Sequence, residues 1–119
     1  MNGNIFWMFE VAIKQGELDN FKALMGEMVA LTKAAEPNTL NYEWYISEDE
    51  MSCHIYERYA DNAALLTHLT SFGKNFASRF TDIATPKRMD VYGNASEEVV
   101  AGLQGLGPTY FTPIGGFTR

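Results

Sequence analysis

Two side chains in this 119-residue sequence combine acid–base capacity with an apolar setting: His68 and Glu10. His68 lies three residues after Leu65 and four before Phe72, so on a helix it stands beside the apolar stripe Leu65, Leu69, Phe72, Phe76 and Phe80 and can point towards whatever that stripe packs on. An imidazole, with an ordinary pKa of about 6.5, exchanges protons near neutrality. The plain alternative is a half-buried helix histidine bonded to a backbone group. Glu10 is the one charge in the run FWMFEVAI, and burying a carboxylate there either raises its pKa or demands a cation such as Arg58. It reads as a structural ion pair or as a second acid–base group. Tyr42, Trp44, Tyr56 and Tyr59 offer faces and hydroxyls for an aromatic ligand, or else pack a core or an interface. With Arg58, Phe72 and Phe76, the residues Tyr42, Trp44 and Tyr56 form the candidate ligand contacts beside the catalytic candidates His68 and Glu10.

Other reactive side chains point to simpler roles. Adjacent strand residues face opposite ways, so Cys53, His54 and Glu57 do not converge on a metal; only His54, Tyr56 and Arg58 share a face. No bound metal and no other cofactor is expected. Cys53 has no histidine at a recognisable catalytic spacing and reads as a small core residue. Gly102, Gly105 and Gly107 neither follow a strand nor open a helix, which makes them helix terminators rather than a phosphate loop.

The elements that must hold these residues follow from periodicity. Over residues 4–14, Ile5, Trp7, Phe9, Val11 and Ile13 fill one face while Phe6, Met8, Glu10 and Ala12 fill the other. A strand that is apolar on both sides needs helices on one face and another cover, most economically a partner subunit, on the other. Residues 17–36 show helical spacing from Leu18 to Ala35, with Glu17 and Asp19 suited to the N-terminal dipole and Pro37 as the stop. Residues 39–47 and 52–60 are rich in aromatic and β-branched side chains around a polar loop, the pattern of a hairpin. Asp61 caps a second helix, with a bend expected at residues 71–73 and an end near Ala84. Pro86 then precedes a last strand over residues 87–92.

The order is βαββαβ, the split βαβ arrangement of a ferredoxin-like, four-stranded antiparallel sheet in the α+β class, with both helices on one face. Ser96 caps a short helix reaching about Gln104. The tail beyond it carries Tyr110, Phe111, Ile114 and Phe117, and is expected to pack on its own domain or cross to a partner. Residues 1–94 form the domain and residues 95–119 its C-terminal helix and packing tail.

Composition narrows the partners. Lys and Arg total 9 against 15 Asp and Glu, a formal charge of -6, which opposes binding to a phosphate backbone, so nucleic acid is not an expected partner. The single cysteine rules out an intrachain disulfide, and the start Met1-Asn2-Gly3-Asn4 lacks the basic region of a signal peptide. A cytoplasmic protein is expected. The longest apolar run, residues 5–9, is far short of a membrane span.

Glu36-Pro37 before a strand bearing Tyr42-Glu43, then Tyr56-Glu57-Arg58-Tyr59, then Asp61 with Ala63, Ala64 and Leu65, and finally His68-Leu69 and Ser71, together resemble the antibiotic biosynthesis monooxygenase superfamily, and within it the quinol monooxygenase branch. The resemblance spans roughly residues 5 to 92. It implies a homodimer in which open sheet faces close into a dimeric α/β barrel, with a pocket between sheet and helices in each subunit. Members oxidise phenolic and quinol substrates with dioxygen, without flavin or metal; others degrade haem. The haem branch uses an Asn, a Trp and a His where this sequence has Glu10, His68 and Ser78, which disfavours haem breakdown.

The resemblance therefore implies a cofactor-independent monooxygenase for a small phenolic, quinol or polyketide-like aromatic. Such a reaction needs a base or charge stabiliser in a dry aromatic pocket, and His68 is the expected group. The alternative is a non-catalytic dimeric module of the same fold that holds a small apolar ligand or merely packs.

Overall fold

The computed structural model describes residues 2–119. Strand β1, Ile5–Ile13, alternates strictly: Ile5, Trp7, Phe9, Val11 and Ile13 are buried while the intervening side chains are half-buried. It pairs antiparallel with both β3, Ser52–Tyr59, and β4, Ala84–Tyr92. Strand β2, Thr39–Ile46, adds to the outer side of β3. The order β2-β3-β1-β4 is the ferredoxin-like arrangement expected from the βαββαβ pattern, and α1, Leu18–Ala35, and α2, Asn62–Asn75, provide its two crossovers.

Local chemistry sets the element ends. The Asp61 carboxylate accepts the Ala64 backbone N–H at 2.9 Å and caps α2, as the sequence indicates. The expected bend at residues 71–73 falls later. Helix α2 runs on to Asn75 and gives way at Phe76, φ -132° and ψ -20°, to α3, Ala77–Ile83. Phe76 is buried at that break, so core packing rather than the local Ser-Phe-Gly sequence decides where the helix turns. Strand β4 starts at Ala84, earlier than residue 87, and takes Pro86 inside it. Pro86 lies opposite Val11, next to the register shift between Glu10 and Val11, and such an irregularity tolerates a residue without an N–H.

The C-terminal segment adds to the sheet. Ser96 Oγ accepts the Val99 N–H at 3.2 Å and caps α4, Glu97–Leu103. A 3-10 turn, Gln104–Leu106, leads into β5, Thr109–Phe111, which pairs parallel with β4 and makes the sheet five-stranded rather than four. The tail packs only this far. Tyr110 is half-buried and Phe111 stacks on Tyr92 at 5.1 Å, whereas Ile114 and Phe117 are left largely uncovered by their own chain.

All the helices cover one sheet face, where Ile5, Val11, Ile55, Leu65 and Val91 are essentially inaccessible; full burial of each contributes about 1.5–3 kcal/mol. Cys53 lies in the same core, and burial pushes its thiol up to about 11, as befits a packing residue. The opposite sheet face carries no helix. Among the described residues no helix is long and apolar enough to cross a membrane.

Candidate functional site

The buried face of β3 reads Cys53, Ile55, Glu57, Tyr59, and one member of that row is a carboxylate. Cross-strand pairing places Glu57 between Tyr42 of β2 and Trp7 of β1, at the middle of the sheet. Helix α2 crosses above this row and presents His68. Glu36, which follows the last residue of α1, turns its side chain inward beside Pro37. Three ionisable groups thus converge from β3, α2 and the end of α1, with accessibilities of 4% for Glu57, 5% for His68 and 7% for Glu36.

Their hydrogen bonds are specific. His68 Nδ1 donates to Glu36 Oε1 at 2.8 Å, and Nε2 stands 3.0 Å from Glu57 Oε1 in an ion pair. Thr39 Oγ1 also donates to Glu36 Oε1, at 3.0 Å, and the Tyr59 hydroxyl donates to Glu57 Oε1 at 2.6 Å. Burial alone lowers the imidazole pKa, but the hydrogen bonds to Glu36 and Glu57 and the charges of both carboxylates outweigh it and push it up to about 10. His68 is therefore an imidazolium at neutral pH, and both of its nitrogens are engaged. Glu57 Oε2, by contrast, makes no hydrogen bond among the described residues.

Two phenols frame the imidazole. The Tyr42 ring meets it edge-on at 5.2 Å and the Tyr59 ring lies tilted at 5.5 Å. Burial first, then the nearby carboxylate charges, raises both phenol pKa values far above the ordinary range, so both hydroxyls remain protonated. A cavity of about 50 Å³ opens beside this group, walled by His68, Glu57, Tyr42, Trp7, Phe72 and Leu106 among others. It has room for a few water molecules and lies well below the ~300 Å³ of an ordinary ligand pocket.

The residues singled out from the sequence divide between the two sheet faces. His68, Tyr42 and Phe72 line the cavity. Trp44 stands one ring behind, edge-on to Tyr42 at 5.5 Å, and Phe76 belongs to the core. Glu10, Tyr56 and Arg58 lie on the helix-free face. There Glu10 Oε1 pairs with His54 Nε2 at 3.3 Å rather than with Arg58, whose Nε donates to Asn4 Oδ1 at 2.9 Å and whose Nη1 donates to Asn41 Oδ1 at 3.2 Å. The structure thus does not bring Glu10 to His68.

In their place come Glu57 and Glu36, which stand in the sequence among the family-like motifs but had no expected role in the site. A signal for Glu57 was present: it is the charge in the register of Cys53, Ile55 and Tyr59, the apolar alternation of its strand. Glu36 carried no such mark, because a residue beyond a helix end is aimed by tertiary packing. Among the described residues no group of three His, Cys, Asp or Glu side chains is arranged to hold a metal ion.

Comparison with known proteins agrees with this architecture. MupZ from Pseudomonas fluorescens superposes with a TM-score of 0.85 at 24% identity, covering 99% of this chain and 96% of that one. Rv0793 from Mycobacterium tuberculosis gives 0.67 at 22% identity, covering 79% and 97%. SnoaB from Streptomyces nogalater, a cofactor-independent oxygenase seen as its N63A mutant, gives 0.65 at 13% identity, covering 80% and 94%. At these identities the likeness is one of fold. No curated protein sequence matches the chain. The family model for antibiotic biosynthesis monooxygenases matches residues 4–73, which contain β1, α1, the β2–β3 hairpin and all but the last two residues of the His68 helix, and the chain belongs to that family.

Proposed function

We propose that this protein is a cofactor-independent oxygenase acting on a small phenolic, quinol or polyketide-like aromatic. The observation that carries the reading is the pairing, at one cavity, of a free carboxylate oxygen, Glu57 Oε2, with a buried imidazolium, His68. Because both imidazole nitrogens already face carboxylates, the proton-accepting role expected of His68 passes to Glu57. His68 then supplies the positive charge that favours a bound phenolate over the neutral phenol, and Glu36 keeps it charged and in place.

The chemistry balances without an added reductant. Glu57 takes the hydroxyl proton, and the electron-rich ring passes an electron to dioxygen. The radical pair joins through a new C–O bond at a ring carbon that bears hydrogen. The hydroperoxide O–O bond then breaks, one oxygen staying as a carbonyl and the other leaving as water with the two hydrogens the substrate gives up. The substrate is oxidised by the dioxygen it consumes, and the cavity wall of Trp7, Phe72 and Phe80 keeps bulk water from the reactive anion. SnoaB, named as a cofactor-independent oxygenase, shares the fold and supports the reading.

The reading includes a homodimer closed through the helix-free sheet face, where Phe6 stacks on Tyr92 at 5.0 Å and meets Tyr56 edge-on at 5.9 Å. Sedimentation equilibrium tests that part. A second reading, a non-catalytic dimeric module of the same fold, is favoured by the small size of the cavity.

Oxygen-electrode measurements with a panel of dihydroquinones separate the two. An oxygenase consumes one dioxygen per substrate oxidised, faster with protein than without it; no acceleration with any member of the panel leaves the non-catalytic module.

A further inference from the structure

The cavity beside His68 and Glu57 is walled almost wholly by the βαββαβ framework, and those wall side chains are buried or half-buried. Leu106 is the exception. It comes from the 3-10 turn beyond α4, and it is 39% exposed while also lining the cavity. Of the wall side chains it is the most exposed, and it stands between the interior space and solvent.

The chain around Leu106 is a short turn, or flap, held between two anchored elements. Val99 and Leu103 are completely buried and anchor α4, and Gly102 lets α4 pack so tightly on α2 that an added Cβ would meet Leu69 Cδ1 at 3.2 Å. Beyond the flap, β5 is tied to β4. Between these anchors, Gly105 and Gly107 flank Leu106. A Cβ at either would meet nothing within 4 Å, so neither is glycine for lack of space. Gly107 adopts φ 58°, the left-handed region that suits glycine, and its N–H bonds the Gln104 carbonyl at 3.1 Å. Swinging the turn outward therefore breaks the few backbone hydrogen bonds of one 3-10 turn, the Gly107–Gln104 bond among them, and the contacts of one partly exposed apolar side chain.

We infer that Leu106 is the gate and the size-determining residue of the His68–Glu57 cavity: an aromatic ligand enters when the Gln104–Leu106 turn swings out, and the leucine side chain sets how many rings fit behind it. The inference rests on the proposed phenolic ligand class, and it accounts for a cavity too small for a ring sitting beside a complete set of acid–base groups. With Leu106 inward the space admits no ring. With it outward, a single ring reaches Glu57, and a second fused ring occupies the position of the leucine side chain.

The test uses two probes, phenol and 1-naphthol, titrated calorimetrically into the full chain and into Leu106→Ala and Leu106→Phe, with association rates read by stopped-flow tryptophan fluorescence. Leu106→Ala is expected to bind 1-naphthol about tenfold tighter than wild type, with phenol affinity changed much less, because the removed methyl groups vacate the second-ring position. Leu106→Phe is expected to slow association of both probes about tenfold. Affinities and rates within about twofold of wild type for both variants overturn the inference, as does the absence of binding by every form. Oxygen uptake separates this outcome from the failure of the oxygenase reading. Leu106-dependent binding without any dihydroquinone oxidation leaves the gate and removes the reaction, whereas oxidation that is indifferent to Leu106 does the reverse.

Discussion

Replacing His68 with glutamine should flatten the dependence of stability on pH above neutrality. In the folded protein burial lowers the imidazole pKa, but Glu36 and Glu57 together outweigh it and push the value up to about 10, whereas in the unfolded chain it returns to about 6.5. A group whose folded pKa is raised stabilises fully below its unfolded pKa, and that contribution drains away as pH rises towards the folded value. Each pH unit within the window removes about 1.4 kcal/mol, so wild type should lose about 2 kcal/mol between about pH 7 and about pH 8.5. Across the whole window the contribution is of the order of 4–5 kcal/mol, a large share of the stability of a domain this size.

Urea denaturation followed by circular dichroism, at several pH values in that range, measures the slope directly. His68→Gln lacks the titrating proton and should show little slope, while His54 is present in both proteins and cancels from the comparison. Cys53, whose thiol burial holds at about 11, is likewise present in both proteins and cancels, and the tyrosines titrate above the interval. Parallel pH profiles for wild type and His68→Gln would refute the doubly paired imidazolium.

Two further substitutions probe the scaffold around the site. Tyr59→Phe removes the fully buried hydroxyl that donates to Glu57 Oε1, and should cost about 1–3 kcal/mol in urea denaturation; a change near zero would mean that the bond contributes nothing net. Gly93→Ala forces a side chain onto φ 118° with its Cβ 2.8 Å from the Asn4 carbonyl oxygen, at the junction of β1 and β4. Unfolding should become easier by about 1–3 kcal/mol, and an unchanged midpoint would show that the turn relaxes freely.

What the sequence conveyed about this molecule follows the reach of its local rules. The period-two pattern of residues 5–13 and the helical spacing of residues 18–35 are repeated many times over, and both elements appear where expected. His68 and Phe72 were recognisable from the apolar stripe of their helix and Tyr42 as an aromatic on a strand, and each lines the cavity. Glu10 drew attention as a charge among hydrophobic neighbours, but its register matches Phe6 and Met8, which place it on the helix-free face. The same parity applied to β3 picks out Glu57.

Features that depend on distant contacts were not legible in this way. Glu36 enters the site only because α1 ends above β2. The α2–α3 break follows the burial of Phe76. Strand β5 is three residues long and exists through its pairing with β4. Leu106 had no local signal at all: its role at the cavity wall depends on where α4 docks.

The most direct measurement is the rate of dihydroquinone-dependent oxygen consumption by wild type and by Glu57→Gln, a substitution that keeps the size and the hydrogen-bonding capacity of the side chain but removes its basicity. If Glu57 accepts the substrate proton beside the His68 imidazolium, kcat/KM falls by about a hundredfold or more in the variant. Equal rates in the two proteins would contradict that role and leave the Glu36–His68–Glu57 network as a structural device of the fold.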